Sequence, residues 1–161
     1  MKKPMIDKII LKNLAHEDAK TVSEHVRQVC NNTPRLNHPN NEYWLESEYS
    51  IKVVKARILS HYSIGAYMDG VLVGTGFAST NSGLLSGIYV SKQGYGVGAL
   101  IVDNLLDYLK AEQVTHIEAS VHPSGRAMRH LLAKNGFIVQ GIDPKRIYFP
   151  DIAFEVVVLD I

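Results

Sequence analysis

After a short alternating stretch, apolar residues recur along this chain at every third or fourth position, then at every second, and afterwards in the two rhythms by turns. Lys8 to Asn13 reads as an opening strand, with Ile9 and Leu11 on one face. Ala15 to Asn31 reads as a helix, because Ala19, Val22, Val26, Val29 and Cys30 fall at helical spacing. Glu17 and Asp18 suit the positive end of its dipole. Asn31 to Asn41 holds two prolines and five asparagines and is predicted to be a loop. Asn41 to about Ser60 is helical again, either as one helix or as two meeting near Ser50.

The rhythm then shortens. Ser63 to Met68 and Val71 to Thr80 alternate and flank Asp69-Gly70, a pair suited to a type I′ turn, so a β-hairpin is predicted. Asn81-Ser82-Gly83 is a second turn, and Leu84 to Tyr89 a further strand. Gly96 to Ala111 is an amphipathic helix whose Val97, Leu100, Ile101, Leu105, Tyr108 and Leu109 share a face. Thr115 to Val121 is a strand, and Ser124 to Lys134 a helix with Met128, Leu131 and Leu132 inward. Phe137 to Gln140 and Ala153 to Leu159 are the last strands, joined by the loop Gly141 to Asp151. The order β-α-α-β-β-β-α-β-α-β-β predicts an α/β (α+β) fold. Its mixed, mostly antiparallel sheet of about six to seven strands carries helices on both faces.

Composition narrows the class. At 161 residues, 46% hydrophobic and 20% charged, the chain is expected to be one soluble domain over residues 1–161. A formal net charge of +1 gives no field for nucleic acid or an anionic membrane, so neither is expected as a partner. Cys30 is the only cysteine, which excludes an internal disulfide and fits a reducing, cytoplasmic setting. Asp7 and Lys8 interrupt the N-terminus before any apolar stretch, so no signal peptide is read there. No apolar run approaches the length of a membrane-spanning helix. His38 and His61 lack partners at ligand spacing, and no metal is expected.

The chemistry concentrates at Gln93-Gly94-Tyr95-Gly96-Val97-Gly98, between a strand and a helix. The first N–H groups of a helix have no partner within it, and the macrodipole adds partial positive charge there. Glycines let the main chain approach a phosphate and take the left-handed conformations such a turn needs. Gly94-x-Gly96-x-x-Ala99, with Glu118 further on, formally satisfies a dinucleotide fingerprint. That fingerprint belongs after the first strand of a parallel fold, whereas a whole antiparallel meander precedes this one. An ordinary tight turn with Gln93 at the surface is a third reading.

Read instead as Gln93-x-x-Gly96-x-Gly98, the loop resembles the GNAT acetyltransferase superfamily, whose acetyl-CoA motif is Q/R-x-x-G-x-G/A at a strand-to-helix junction. Ile88-Tyr89-Val90 matches the strand end that leads into that loop. Lys134 and Gly136-Phe137 match the family's close after the following helix. The matching motifs run from Leu84 to Gly141.

The resemblance implies an N-acetyltransferase using acetyl-CoA as co-substrate, with a small-molecule or peptide amine as acceptor, and it leaves a homodimer open. It implies that backbone groups of Gly94, Tyr95, Gly96, Val97, Gly98 and Ala99 hold the diphosphate, beside Gln93. Main-chain groups at Ile88, Tyr89 and Val90 line the pantetheine arm, in a cleft where Leu84–Tyr89 splays from Thr115–Val121. Ser124 stands where an asparagine often meets the cofactor. Arg126, Arg129 and Lys134 are either 3′-phosphate ligands or a charged outer helix face.

Two groups that the family often uses are absent: Leu84–Tyr89 carries no carboxylate, and Leu132 stands where a tyrosine often donates a proton. His122 is either a substitute base or a surface histidine. Tyr89 and Tyr148 are the other catalytic candidates. Glu42, Glu46 and Glu48, and the rings of Tyr43, Trp44 and Tyr49, fall where the acceptor pocket is capped in similar proteins. A non-catalytic acyl-CoA-binding module on the same scaffold remains the alternative.

Overall fold

Seven strands form one sheet in the order β1-β2-β3-β4-β5-β7-β6 in a computed structural model that describes residues 8–145 and 148–161. The stretch read as lacking a signal peptide, residues 1–7, and two residues of the predicted Gly141–Asp151 loop lie outside the described residues. The strands are β1 (Ile10–Asn13), β2 (Tyr62–Met68), β3 (Val71–Ser79), β4 (Leu84–Val90), β5 (His116–Val121), β6 (Ile138–Ile142) and β7 (Glu155–Asp160). The helices are α1 (Ala19–Asn32), α2 (Asn41–Tyr49), α3 (Ile51–Ser60), α4 (Val97–Ala111) and α5 (Arg126–Lys134). Every strand pair is antiparallel except β4 with β5, so the expected mixed, mostly antiparallel architecture is found.

Helices cover both faces, and each face has its own core. On one, Ile101, Leu105 and Leu109 of α4 and Leu132 of α5 bury against Val73, Ala78 and Leu85 of the sheet. On the other, Val22 and Val26 of α1, Trp44 and Leu45 of α2 and Val54 of α3 close over Leu72 and Phe77. The β2–β3 turn is of the predicted kind, with Asp69 at φ 51° and Gly70 at φ 76°. The long helical stretch is two helices broken at Ser50, whose side chain caps α3 by accepting the Val53 N–H at 3.3 Å.

Several boundaries differ from the sequence reading for local reasons. The opening strand starts at Ile10 rather than Lys8. A 3-10 turn, His16–Asp18, precedes α1, and the Asp18 carboxylate accepts the Ala15 N–H at 2.8 Å. Helix α5 begins at Arg126 rather than Ser124, because the Ser124 N–H donates to His122 Nδ1 at 3.0 Å and holds a turn there. Strand β6 runs to Ile142, into the predicted loop, because Gly141 and Ile142 resume pairing with Val156 and Glu155 past a bulge.

Candidate active site

The site begins with a defect in the sheet. Thr75 of β3 pairs with Tyr89 of β4 and Phe77 with Ser86, so Gly87 and Ile88 together face Gly76. Gly87 takes φ +62°, and a Cβ there would sit 2.4 Å from the Phe77 ring. Its carbonyl leaves the ladder and is taken by the Thr75 hydroxyl at 2.8 Å. Such a bulge bends its strand. Beyond it β4 has no ladder with β5: the two pair at one position, Leu84 with Glu118, supported by the Glu118 N–H on Gly83 O at 2.8 Å.

The gap between Leu84–Val90 and Glu118–His122 is part of a cleft of about 1430 Å³ that also runs along α1, α2 and the start of α4. Main-chain pairing alternates along an antiparallel ladder. Since Ser91 donates to Val73 O at 2.9 Å, the groups of Val90 turn away from β3 and toward the cleft. Gln93 Nε2 donates to Val90 O there at 3.0 Å. On the α1 side, His25 Nε2 lies 3.0 Å from Tyr89 O. Burial lowers the pKa of that imidazole, with the backbone bond as a smaller opposing effect, so the neutral ring donates.

At its upper end the cleft meets the start of α4. Gly94 and Gly96 take φ +82° and +78°, and Gly96 is the N-cap with no side chain capping it. A Cβ on Gly94 or Gly96 would meet nothing within 4 Å, and one on Gly98 only Val90 Cγ2 at 3.9 Å. The space before the helix is therefore open, no acidic residue stands in the first turn, and the helix dipole points into it. Gln93, Gly94, Gly96, Val97, Gly98 and Ala99 line this end. Tyr95 packs against the α4-side core, and the Val97 side chain is buried, so both anchor the loop. Lys92, unremarked in the sequence, also lines the mouth and brings a cation to it. These features fit a diphosphate: backbone donors, a positive dipole end and room.

At the other end, aromatic rings gather. Trp44 lies 5.2 Å from Tyr49, 6.3 Å from Tyr89 and 5.7 Å from Phe149, and Phe154 lies 6.1 Å from Phe149. Tyr89 thus faces this side while Ile88 packs toward α4. The loops before α2 and β7 close over the end. His38 Nε2 meets the Asp151 carboxylate at 3.0 Å, and Asn40 Nδ2 donates to Tyr148 O at 2.7 Å. The partner of His38 stands 113 residues away, which spacing in the sequence does not reveal.

His122 lies half-buried at the end of β5, edge-on to Phe154 at 5.1 Å. Its Nδ1 accepts the Ser124 N–H at 3.0 Å and lies 2.7 Å from Ser124 Oγ. The neutral ring therefore carries its proton on Nε2, an arrangement that donates rather than accepts at that atom. The same bond directs the Ser124 hydroxyl to His122, and Ser124 is outside the cleft lining. Tyr148 lines the cleft, with its ring edge-on to Tyr43 at 5.5 Å.

Glu42 and Glu46 are exposed and pair with Arg27, whereas Glu48 is half-buried and lines the cleft. Arg129 pairs with Glu155, and none of Arg126, Arg129 and Lys134 lines the cleft. Leu132 is 1% exposed at the cleft floor. Among the described residues no three His, Cys, Asp or Glu side chains converge as metal ligands, and no helix is long and apolar enough to cross a membrane.

A model of the Acetyltransferase (GNAT) family matches residues 25–137, more than half of the chain. Solved structures share the fold over nearly the whole length. PaiA N-acetyltransferase from Thermoplasma acidophilum, crystallised with coenzyme A, is 17% identical with a TM-score of 0.80, covering 96% of this chain and 99% of its own. A GCN5-related N-acetyltransferase structure from Rhodopseudomonas palustris is 15% identical with a TM-score of 0.78, covering 99% and 100%. YncA, a putative acetyltransferase from Salmonella typhimurium solved with acetyl-CoA, is 17% identical with a TM-score of 0.67, covering 96% and 94%. No curated protein matches the chain by sequence. With its cleft, glycine loop and family match, the chain belongs to the GNAT family of acetyltransferases.

Proposed function

We propose that this protein is an N-acetyltransferase that moves the acetyl group of acetyl-CoA directly to an amine. The observation that carries the reading is the cleft opened by the Gly87 bulge, with the uncapped start of α4 at one end and an aromatic acceptor pocket at the other. In this reading the N–H groups from Gly94 to Ala99 hold the diphosphate, with Lys92 and Gln93 at the rim. The main chain of Ile88 to Val90 aligns the pantetheine arm as an added strand would. The Val90 N–H is the donor for the oxyanion.

The neutral amine nitrogen bonds to the thioester carbon as the C–S bond breaks; the nitrogen gives up one proton to water as the amide forms, and the thiolate takes one up from water. An acceptor that arrives as an ammonium ion releases one further proton to water. His122, whose Nε2 carries a hydrogen, is assigned to hydrogen-bonding the leaving sulfur, and the proton that the amine loses goes to water. Tyr89 and Tyr148 are assigned to shaping the acceptor side. Holding two reactants in one geometry contributes several kcal/mol by itself, about 7–11 in the best cases.

The buried Leu132, with no hydroxyl at its position, supports the second reading, a CoA-binding module without turnover. Thiol release from acetyl-CoA, measured over a panel of amines, separates the two. Release with any amine supports the enzyme. Calorimetric CoA binding with no release across the panel supports the module. No CoA binding removes both.

A further inference from the structure

We propose that the acceptor end selects a monocationic amine on a flat apolar skeleton, and that Glu48 binds its ammonium group. The inference rests on the acetyltransferase reading and names the substrate class for that site. Three carboxylates line the cleft among the described residues, Glu48, Glu118 and Asp143. Two are committed: Glu118 Oε1 lies 3.0 Å from His116 Nε2, and Asp143 Oδ1 accepts the Lys145 N–H at 2.9 Å. Glu48 is half-buried and has no hydrogen-bond or ion-pair partner among the described residues.

Glu48 stands four residues after Trp44 on α2, so the two share a helix face. A carboxylate kept half out of water beside aromatic rings costs free energy unless a cation joins it. The rings themselves offer a flat apolar wall and a negative π-face to the same ligand.

One uncommitted carboxylate matches one ammonium. A second positive charge meets an obstacle: the Arg57 guanidinium lies 4.5 Å over the Tyr49 ring, holding that face with a cation already. A polyamine would set its further charges among Arg35, Arg57, Lys92 and Lys145, which line the same cleft, at an electrostatic cost. A single arylalkylamine head group leaves no such debit.

Trp44 is the chain's only tryptophan and forms part of this wall, so its fluorescence reports the occupant directly. The experiment titrates 2-phenylethylamine and spermidine into the CoA-loaded protein while following that emission, then measures kcat and KM for each with acetyl-CoA. The expected result is saturable quenching by 2-phenylethylamine, weak or no response to spermidine, and kcat/KM higher for the monoamine by about tenfold or more. Glu48→Gln should raise the monoamine KM about 10- to 100-fold, the worth of a hydrogen bond to a charged group, and leave the calorimetric Kd for CoA unchanged. Glu42→Gln, on an exposed carboxylate paired with Arg27, should leave both unchanged.

Spermidine equalling or outperforming 2-phenylethylamine overturns the proposal, as does an unchanged amine KM in Glu48→Gln. Absence of CoA binding is read separately by calorimetry and strikes the acetyltransferase assignment instead. In that case the fluorescence titration of the unloaded protein still decides the acceptor class.

Discussion

Gly87 is where a single side chain decides whether the cleft exists. A methyl group there would meet the Phe77 ring at 2.4 Å while the backbone holds φ +62°. Gly87→Ala should cost about 2–4 kcal/mol, from left-handed strain together with overpacking, read by urea unfolding. Gly98 is the opposite case, since its position is open and its φ ordinary. Gly98→Asp should leave the unfolding midpoint near wild type yet weaken CoA binding about tenfold or more, because a carboxylate then faces phosphate across the helix start. Unchanged CoA affinity in that variant would remove the diphosphate cradle. Cys30 gives a third test: burial pushes its thiol up to about 12, so a thiol reagent should react only after unfolding, once per chain. The two kinds of glycine also differ in legibility. Gly94, Gly96 and Gly98 cluster at a change of rhythm, which marks an anion loop in sequence. Gly87 stands alone in a strand, where glycine has many meanings, and its partner Thr75 comes from another strand.

At the scale of elements, most of the architecture is written in local periodicity. The Asp69-Gly70 hairpin and the strand-loop-helix from Leu84 to Ala111 depend on neighbours in sequence and are readable there, whereas the sequence leaves Asn41 to Ser60 as one helix or two and the structure breaks it at Ser50. Ser50→Ala should destabilise the fold by about 1 kcal/mol through the lost cap of α3, measured as a shift in the urea midpoint. What depends on distant partners was not readable. Strand β6 reaches Ile142 only because β7 supplies a partner beyond a bulge. His122 reads in sequence as either a substitute base or a surface histidine at a strand end. The Ser124 amide that fixes its tautomer comes from a turn whose shape appears only in three dimensions. The aromatic end of the cleft combines α2 with the loops before α2 and β7, so its carboxylates could be named in sequence but not sorted into paired and unpaired. His25 likewise ties α1 to the diverging half of β4, a link spanning 64 residues.

At the scale of the whole molecule, the shifted histidines His25, His61 and His116 bear on the response to pH. Burial lowers the folded-state pKa of His25, and burial followed by the Arg57 charge lowers that of His61, both below the usual 6.5. The unfolded chain therefore binds more protons, and these groups stabilise the fold fully above about pH 6.5 and lose that contribution as pH falls through the lowered values. The melting temperature should drop between pH 7 and pH 5, and His25→Gln should flatten the drop. His116 acts in the opposite sense. Glu118 and then Asp160 raise its pKa, so its contribution is present below pH 6.5 and fades as pH climbs through the raised value. His116→Gln should accordingly lower the melting temperature more at pH 6 than at pH 9. The lone rung between Leu84 and Glu118 bears on mechanics as well. It makes the sheet two leaves bound along a narrow spine, one of β1 to β4 and one of β5 to β7. Any molecule seated along the gutter stitches the leaves together. Amides of β5 and β7 should then trade their hydrogens for deuterium more slowly once coenzyme A is added, although the ligand touches few of them.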